Sequence, residues 1–245
     1  MAEAGGGGIC MSEYFIFDGV DCRDFSVYAF DSDTFGSSSR EYEGITIPGR
    51  NGNILIDNKR FENRSHSYGC IVYENCEQNL KDFRNFLLSR IGYCRLEDSI
   101  HPEEFYQACY MEEFSPTLSV NRKMAKTIIT FERKPQRFLK VGEITRDFTA
   151  TGTIYNPTRF PSHPLIRVTG SGSFEIGENI ITVTNNSTYI DIDCEIMEAF
   201  TGNTLANSKV AFSKNDFPTL EAGSNAVKLN SGITKVQITP RWYTM

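Results

Sequence analysis

The chain is poor in several things that would mark a common class. It has one tryptophan, three histidines and no apolar run near the ~18 residues a membrane helix needs. Mean hydropathy is −0.34. The seven cysteines (Cys10, Cys22, Cys70, Cys76, Cys94, Cys109 and Cys194) include no Cys-x-x-Cys pair. An odd count in a chain this long does not describe a disulfide-stapled miniprotein, and buried free thiols in a reducing cytosol are expected. His66, His101 and His163 stand far apart, so tetrahedral zinc has no ligand set and no metal is expected. There is no Gly-Lys-Ser/Thr loop and no serine nucleophile elbow. Basic excess is missing too: 25 Lys and Arg stand against 31 Asp and Glu, a net charge of −6, which argues against a general nucleic-acid binder. The N-terminus shows neither a basic nor an apolar signal region, so no secretory leader is expected.

What is plentiful is aromatic and sheet-forming material. The sequence holds 18 Phe and 11 Tyr beside many Thr, Ile and Val, which favours strands. Its 245 residues, at ~150 per domain, predict one to two domains. Residues 1–10 carry four consecutive glycines and read as a disordered leader or tag. Short strands are predicted around Tyr14–Phe17, Phe25–Phe30, Tyr93–Leu96, Tyr106–Met111 and Lys126–Phe131. The run Ile45-Thr46-Ile47-Pro48-Gly49-Arg50-Asn51-Gly52-Asn53-Ile54-Leu55-Ile56 predicts a hairpin closed by a tight turn. A polar, serine-rich lead-in over 31–43 suggests that this hairpin projects as an arm. One helix is predicted: Leu80, Phe83, Phe86, Leu87 and Ile91 share a face, Asn75 and Gln78 form a capping box, and Gly92 ends it.

A proline cluster at Pro135, Pro157, Pro161 and Pro164 marks a boundary, placed near residue 142. Beyond it the predicted strands are Leu165–Thr169, Ser173–Ile176, Asn179–Val183, Tyr189–Ile196, Val210–Phe212, Ala226–Leu229 and Lys235–Thr239, the rhythm of an all-β sandwich.

Candidate chemistry is thin. In Asp191-x-Asp193-x-Glu195 the alternate positions are Ile190, Ile192, Cys194 and Ile196, so the acids are expected on a solvated face and the apolar residues inside. Asp31-x-Asp33-x-Phe35-Gly36 starts like a calcium loop but has Phe35 where an oxygen ligand is needed and Tyr42 at the closing position. Gly170-x-Gly172 would need glycine at 175 for a dinucleotide fingerprint and has Glu175. Glu103-Glu104 and Glu112-Glu113 are adjacent and would point to opposite faces of a strand. The sequons at Asn63, Asn185 and Asn186 mean little without a secretory route. Trp242 beside Arg241 is expected to be tucked structure, with a sugar platform as the alternative. No catalytic residue and no cofactor is expected.

Three motifs together resemble the distal tail proteins of siphophages: Phe15-Ile16-Phe17-Asp18-Gly19, Ile47-Pro48-Gly49-Arg50-Asn51-Gly52, and Phe131-Glu132-Arg133-Lys134-Pro135-Gln136-Arg137-Phe138. The likeness continues through Asn156, Pro161, Pro164, Tyr189–Glu195, Phe217-Pro218-Thr219-Leu220, Gly223-Ser224-Asn225 and Ile238-Thr239-Pro240-Arg241-Trp242. Asn51, where an acidic residue is common, and Arg133, where a cysteine or small residue is common, depart from it. The resemblance implies a mainly β fold: a ring-forming, tail-tube-like β-sandwich with one helix and a hairpin arm over 11–142, then a galectin-like β-sandwich over 143–245. It implies a virion protein without enzymatic activity, assembled in the cytoplasm of a bacterial host. Such a protein forms a homo-hexameric ring that joins the tail tube to tail-tip or baseplate proteins and lets DNA pass. No membrane partner and no glycan are expected. Alternatives left open are a glycan-binding adsorption protein, a tail-tube protein and an enzyme.

Within that frame Ile45, Ile47, Ile54 and Ile56 would be misplaced in water, since burying an isoleucine contributes ~1.5–3 kcal/mol. Alternation sets them on one side, with Thr46 and Leu55 on the other. The expected subunit interface is therefore the arm: Ile45, Ile47, Pro48, Gly49, Arg50, Asn51, Ile54 and Ile56. The alternative is a hairpin folded back on its own domain.

Overall fold

The structure, a computed structural model, describes residues 13–32, 34–184 and 188–245. The expected leader, Asp33 and the sequons at Asn185 and Asn186 lie outside the described residues. The fold is mainly β and divides into two compact units, one ending at Arg137 and the other spanning Phe138–Thr244.

The first unit contains β1 (Phe15–Phe17), β2 (Val20–Asp21), β3 (Val27–Ser32), β4 (Arg40–Thr46), β5 (Asn53–Phe61), β6 (Arg64–Tyr73), α1 (Cys76–Ser89), β7 (Cys94–Asp98), β8 (Glu104–Tyr110), β9 (Thr117–Leu118) and β10 (Met124–Arg133). Its main sheet runs β2-β1-β7-β8-β10-β6-β3, each strand antiparallel to its neighbours. Parity explains the core. In β10 every second residue, Ala125, Ile129 and Phe131 among them, points inward, and β6 answers with Tyr68, Cys70 and Val72. Rings then fill the interior: Phe15 stacks on Tyr68 at 4.7 Å between centroids, and Phe17 lies 4.8 Å from Phe131.

Helix α1 covers that core with Leu80, Phe83 and Leu87 buried. Its ends differ from the expectation. Asn75 sits in the left-handed region at φ 35° and its side chain makes no capping bond, while Gln78 turns to Asp82 at 2.9 Å, one helical turn on. At the other end Arg90 is already extended, so the helix stops short of Ile91, which is 93% exposed rather than on the buried face. Residues 22–25 form a single 3-10 turn, so the strand expected from Phe25 begins only at Val27.

The second unit begins at Phe138, inside β11 (Arg137–Leu139), and continues through β12 (Arg146–Phe148), β13 (Gly152–Asn156), β14 (Leu165–Gly170), β15 (Gly172–Ile176), β16 (Asn179–Val183), β17 (Ile190–Asp193), β18 (Glu198–Thr201), β19 (Thr204–Leu205), β20 (Val210–Phe212), β21 (Gly223–Leu229), β22 (Ile233–Thr239) and β23 (Tyr243–Thr244). Two sheets, β12-β22-β14-β17-β18-β19 and β13-β21-β15-β16-β20, close on one core of Ile166, Val168, Phe174, Ile181, Ile192, Val227 and Val236. Gly170 and Gly172 serve the backbone here. A Cβ at Gly170 would fall 2.3 Å from the Gly232 carbonyl, and one at Gly172 2.1 Å from that of Ser231, so the β14–β15 turn can cross the chain before β22 only without side chains.

Candidate functional site

The arm is a separate two-stranded ribbon of β4 and β5. Ile45 pairs with Ile54 and Glu43 with Ile56, which sets Ile45, Ile54 and Ile56 on one face; Gly44 opposite Leu55 and Tyr42 opposite Asp57 set Leu55 and Tyr42 on the other. Ile45, Ile47, Ile54 and Ile56 are 37–43% exposed and Leu55 65%, so the described residues of the unit leave them open to water. The tip is wider than the expected tight turn. Pairing ends at Thr46 and Asn53, and Ile47 to Gly52 form the loop. Pro48 has no N–H to lend to a ladder; instead the Arg50 N–H bonds the Ile47 carbonyl at 3.2 Å, with Gly49 at φ 79° in the position a type II turn reserves for glycine. Arg50 and Asn51 follow, exposed, in that loop.

The strands reach further back than the apolar run. Where the sequence suggested a polar lead-in, β4 starts at Arg40 and β5 continues to Phe61. This root half is held by polar groups: Arg40 pairs with Asp57, Arg60 Nε lies 2.6 Å from Glu41 Oε2, and Asn58 bonds Glu41 at 2.9 Å. Asp57 accepts from Arg40 and from the Lys59 N–H, which holds its carboxyl below the usual range. The signal for this extension was opposite charge across the ribbon, Arg40 and Glu41 against Asp57 and Arg60.

Elsewhere the candidate chemistry dissolves into structure. Asp191 and Asp193 are buried, not solvated, because Arg167 and Arg241 cover that face: Arg167 Nε and Nη2 donate to Asp191 at 2.6 and 2.8 Å, and Arg241 Nη1 and Nη2 to Asp193 at 2.7 and 2.8 Å. Ile196, expected inside, is exposed past the end of β17. Trp242 is only 4% exposed, packed in the second core, and offers no face for a sugar ring. Burial pushes the Cys22 thiol up to about 12 and raises those of Cys70 and Cys194, so at neutral pH none of these is a thiolate nucleophile. Among the described residues no three His, Cys, Asp or Glu side chains gather as a cation would require.

No family model and no curated protein matches the sequence. Among solved structures, the crystal structure of the SPP1 Dit protein, described as a paradigm of the hub adsorption apparatus in phages that infect Gram-positive bacteria, matches 95% of this chain and 99% of its own, with a TM-score of 0.74 at 19% identity. This chain has the SPP1 Dit fold. The phage p2 baseplate in its activated conformation with Sr also matches, with a TM-score of 0.47 and 12% identity over 92% of this chain and 97% of that one.

Proposed function

We propose that this chain is a structural hub protein of a phage tail. In this reading residues 11–142 build a closed homo-hexameric ring at the distal end of the tail, and 143–245 form a galectin-like sandwich outside it. The ring joins the tail tube to tail-tip or baseplate proteins and lets DNA pass. The observation that carries the reading is the likeness to the SPP1 Dit protein along nearly the whole of both chains, at a TM-score of 0.74. Two further features support it. The net charge of −6 suits a passage that must not hold phosphates, since Lys and Arg contacts would retain them. The arm's isoleucine face gives each copy something to bury on its neighbour, and cyclic closure lets every arm find the same surface. Nucleophile, metal and cofactor chemistry have no part in such a role.

Electron micrographs of the purified protein test the ring: six-fold rings are expected, and a monodisperse monomer at every concentration overturns the reading. A short Gly-Ser turn replacing residues 48–52, combined with Ile45→Ser and Ile47→Ser, then tests the arm. Loss of the ring with circular dichroism intact is expected. Rings that survive show that the arm is not the clasp.

A further inference from the structure

Strand parity turns Arg133 and Arg64 to the same inner face, and Arg137 joins them from the chain that follows. Arg133 continues the buried row of Ile129 and Phe131, and the register sets Arg64 directly opposite it. Arg137, four residues on, is 8% exposed and Arg133 1%. Like charges opposed across a sheet repel, and the sole carboxylate paired with Arg133 or Arg137 among the described residues is Glu104, at 3.7 Å from Arg137 Nη1. What these side chains do hold is backbone. Arg133 Nη2 donates to the Gly36 carbonyl at 3.0 Å; Arg137 Nη2 donates to the same carbonyl at 2.9 Å and to that of Thr34 at 2.5 Å; Arg64 Nη1 donates to the carbonyl of Ser37 at 2.9 Å. The Tyr106 ring lies beneath, 4.5 Å from the Arg133 guanidinium and 5.7 Å from that of Arg137. Glycine at 36 leaves room for one of the three, since a Cβ there would stand 1.8 Å from Arg64 Nη2 and displace that guanidinium. The held segment, 34–37, leads straight into β4, the first strand of the arm. It has little apolar anchoring of its own: Phe35 is 82% exposed.

We propose that Arg64, Arg133 and Arg137 form a guanidinium clamp that fixes the root of the arm through the carbonyls of Thr34, Gly36 and Ser37. The clamp pre-positions the isoleucine face for a second copy of this chain, a consequence that rests on the ring reading above. It restrains the arm before contact, so less conformational freedom is lost on assembly. Burial, with the neighbouring Arg137 and Arg64, lowers the pKa of Arg133 from the ordinary arginine value, in keeping with a cation kept for its hydrogen bonds rather than for an ion pair.

The test is chymotrypsin cleavage after Phe35, followed by mass spectrometry on the full-length chain. Cleavage needs the segment to leave its seat, so its rate reports the open population. Arg133→Met with Arg137→Met keeps side-chain length, and apolar replacement of buried charge is commonly tolerated. Cleavage should rise about tenfold or more, with circular dichroism unchanged and ring yield reduced. Gly36→Ala, which evicts only the Arg64 guanidinium, should give a smaller rise. Wild-type cleavage rates in both folded variants overturn the clamp, and so does loss of fold in both, which would make the arginines plain core. Faster cleavage in a chain that never forms rings keeps the clamp and removes the ring.

Discussion

The two units solve the same problem, a β core of about a hundred residues, with different materials. The first is built on rings, with Phe15, Phe17, Tyr68, Phe83, Tyr106 and Phe131 at its centre; the second is mostly aliphatic, with Ile166, Val168, Ile181, Ile190, Ile192, Val236 and Ile238. Their polar groups differ more. In the second unit the buried polar side chains are satisfied within it: Asn156 bonds the carbonyls of Phe160 and Leu220, Ser162 that of Pro240, Asn225 those of Glu221 and Gly223, and both aspartates have their arginines. Among the described residues, the buried side-chain atoms without a partner, such as Tyr110 Oη, Thr127 Oγ1 and Arg133 Nε, all belong to the first. The open isoleucine face of the arm belongs there too. The second unit meets its buried polar needs internally; the first keeps unpartnered buried polar atoms and an open isoleucine face, and that open face is where assembly is expected to act.

If the units are separate cores, damage should stay local. Phe131→Ala removes a ring that touches Phe15, Phe17, Tyr68 and Tyr110, and should cost the first unit about 3–5 kcal/mol. Ile192→Ala should cost the second about 2–5 kcal/mol. Calorimetry should show each substitution lowering one transition and leaving the other in place. If both variants shift a single common transition, the units fold as one and the comparison fails.

Legibility also differs between the units. In the second, β16 and β20 match their sequence-based bounds because clean alternation borders clear turn residues. In the first, β6 escaped notice although it is among the longest strands: Ser65, Ser67 and Gly69 break up its apolar look, and only the inward row His66, Tyr68, Cys70 and Val72 betrays it. The helix was readable on its buried face, but its ends depended on backbone turns at Asn75 and Arg90 that periodicity does not encode. Asp191 and Asp193 were misjudged for another reason. Parity correctly turned them away from the core, yet β17 lies between β14 and β18, and covering arginines come from positions 24 and 48 residues away. The arm's isoleucine alternation was visible in sequence; its charged root and the arginine cluster beneath it need the β6–β10 register.

The self-sufficiency of the second unit has a titratable part. Burial raises the pKa of Asp193, but bonds from Arg241 and the N–H groups of Glu195 and Ile196 outweigh it, and the net shift is downward. A carboxyl depressed by folding stabilises above its unfolded pKa, and that stability is lost as pH falls through the lower folded value. Acid should therefore weaken the second unit below about pH 4. Asp193→Asn should lower its stability at neutral pH by about 1.5–3 kcal/mol, the range for a bond to a charged group, and flatten this acid limb. Equal acid sensitivity of variant and parent would assign the limb to other carboxylates.

The smallest effect is expected on the far side of the arm, and it sharpens the contrast between open surface and working surface. Leu55 is more exposed than any of the four isoleucines, so exposure alone would rank it first as an interface residue. The register says otherwise, because Leu55 pairs with Gly44 and shares its face with Tyr42 and Asp57, away from Ile45, Ile54 and Ile56. A surface change of this kind typically alters stability by less than about 0.5 kcal/mol. On the ring reading, Leu55→Ser should therefore leave both melting and assembly as in the parent, whereas Ile54→Ser, the same kind of change one residue earlier, should weaken the proposed ring. Sedimentation of the two variants side by side separates the cases. Should Leu55→Ser dissolve the ring and Ile54→Ser spare it, the buried side of the arm is the other one; should both dissolve it, the neighbouring copy grips the ribbon from both faces.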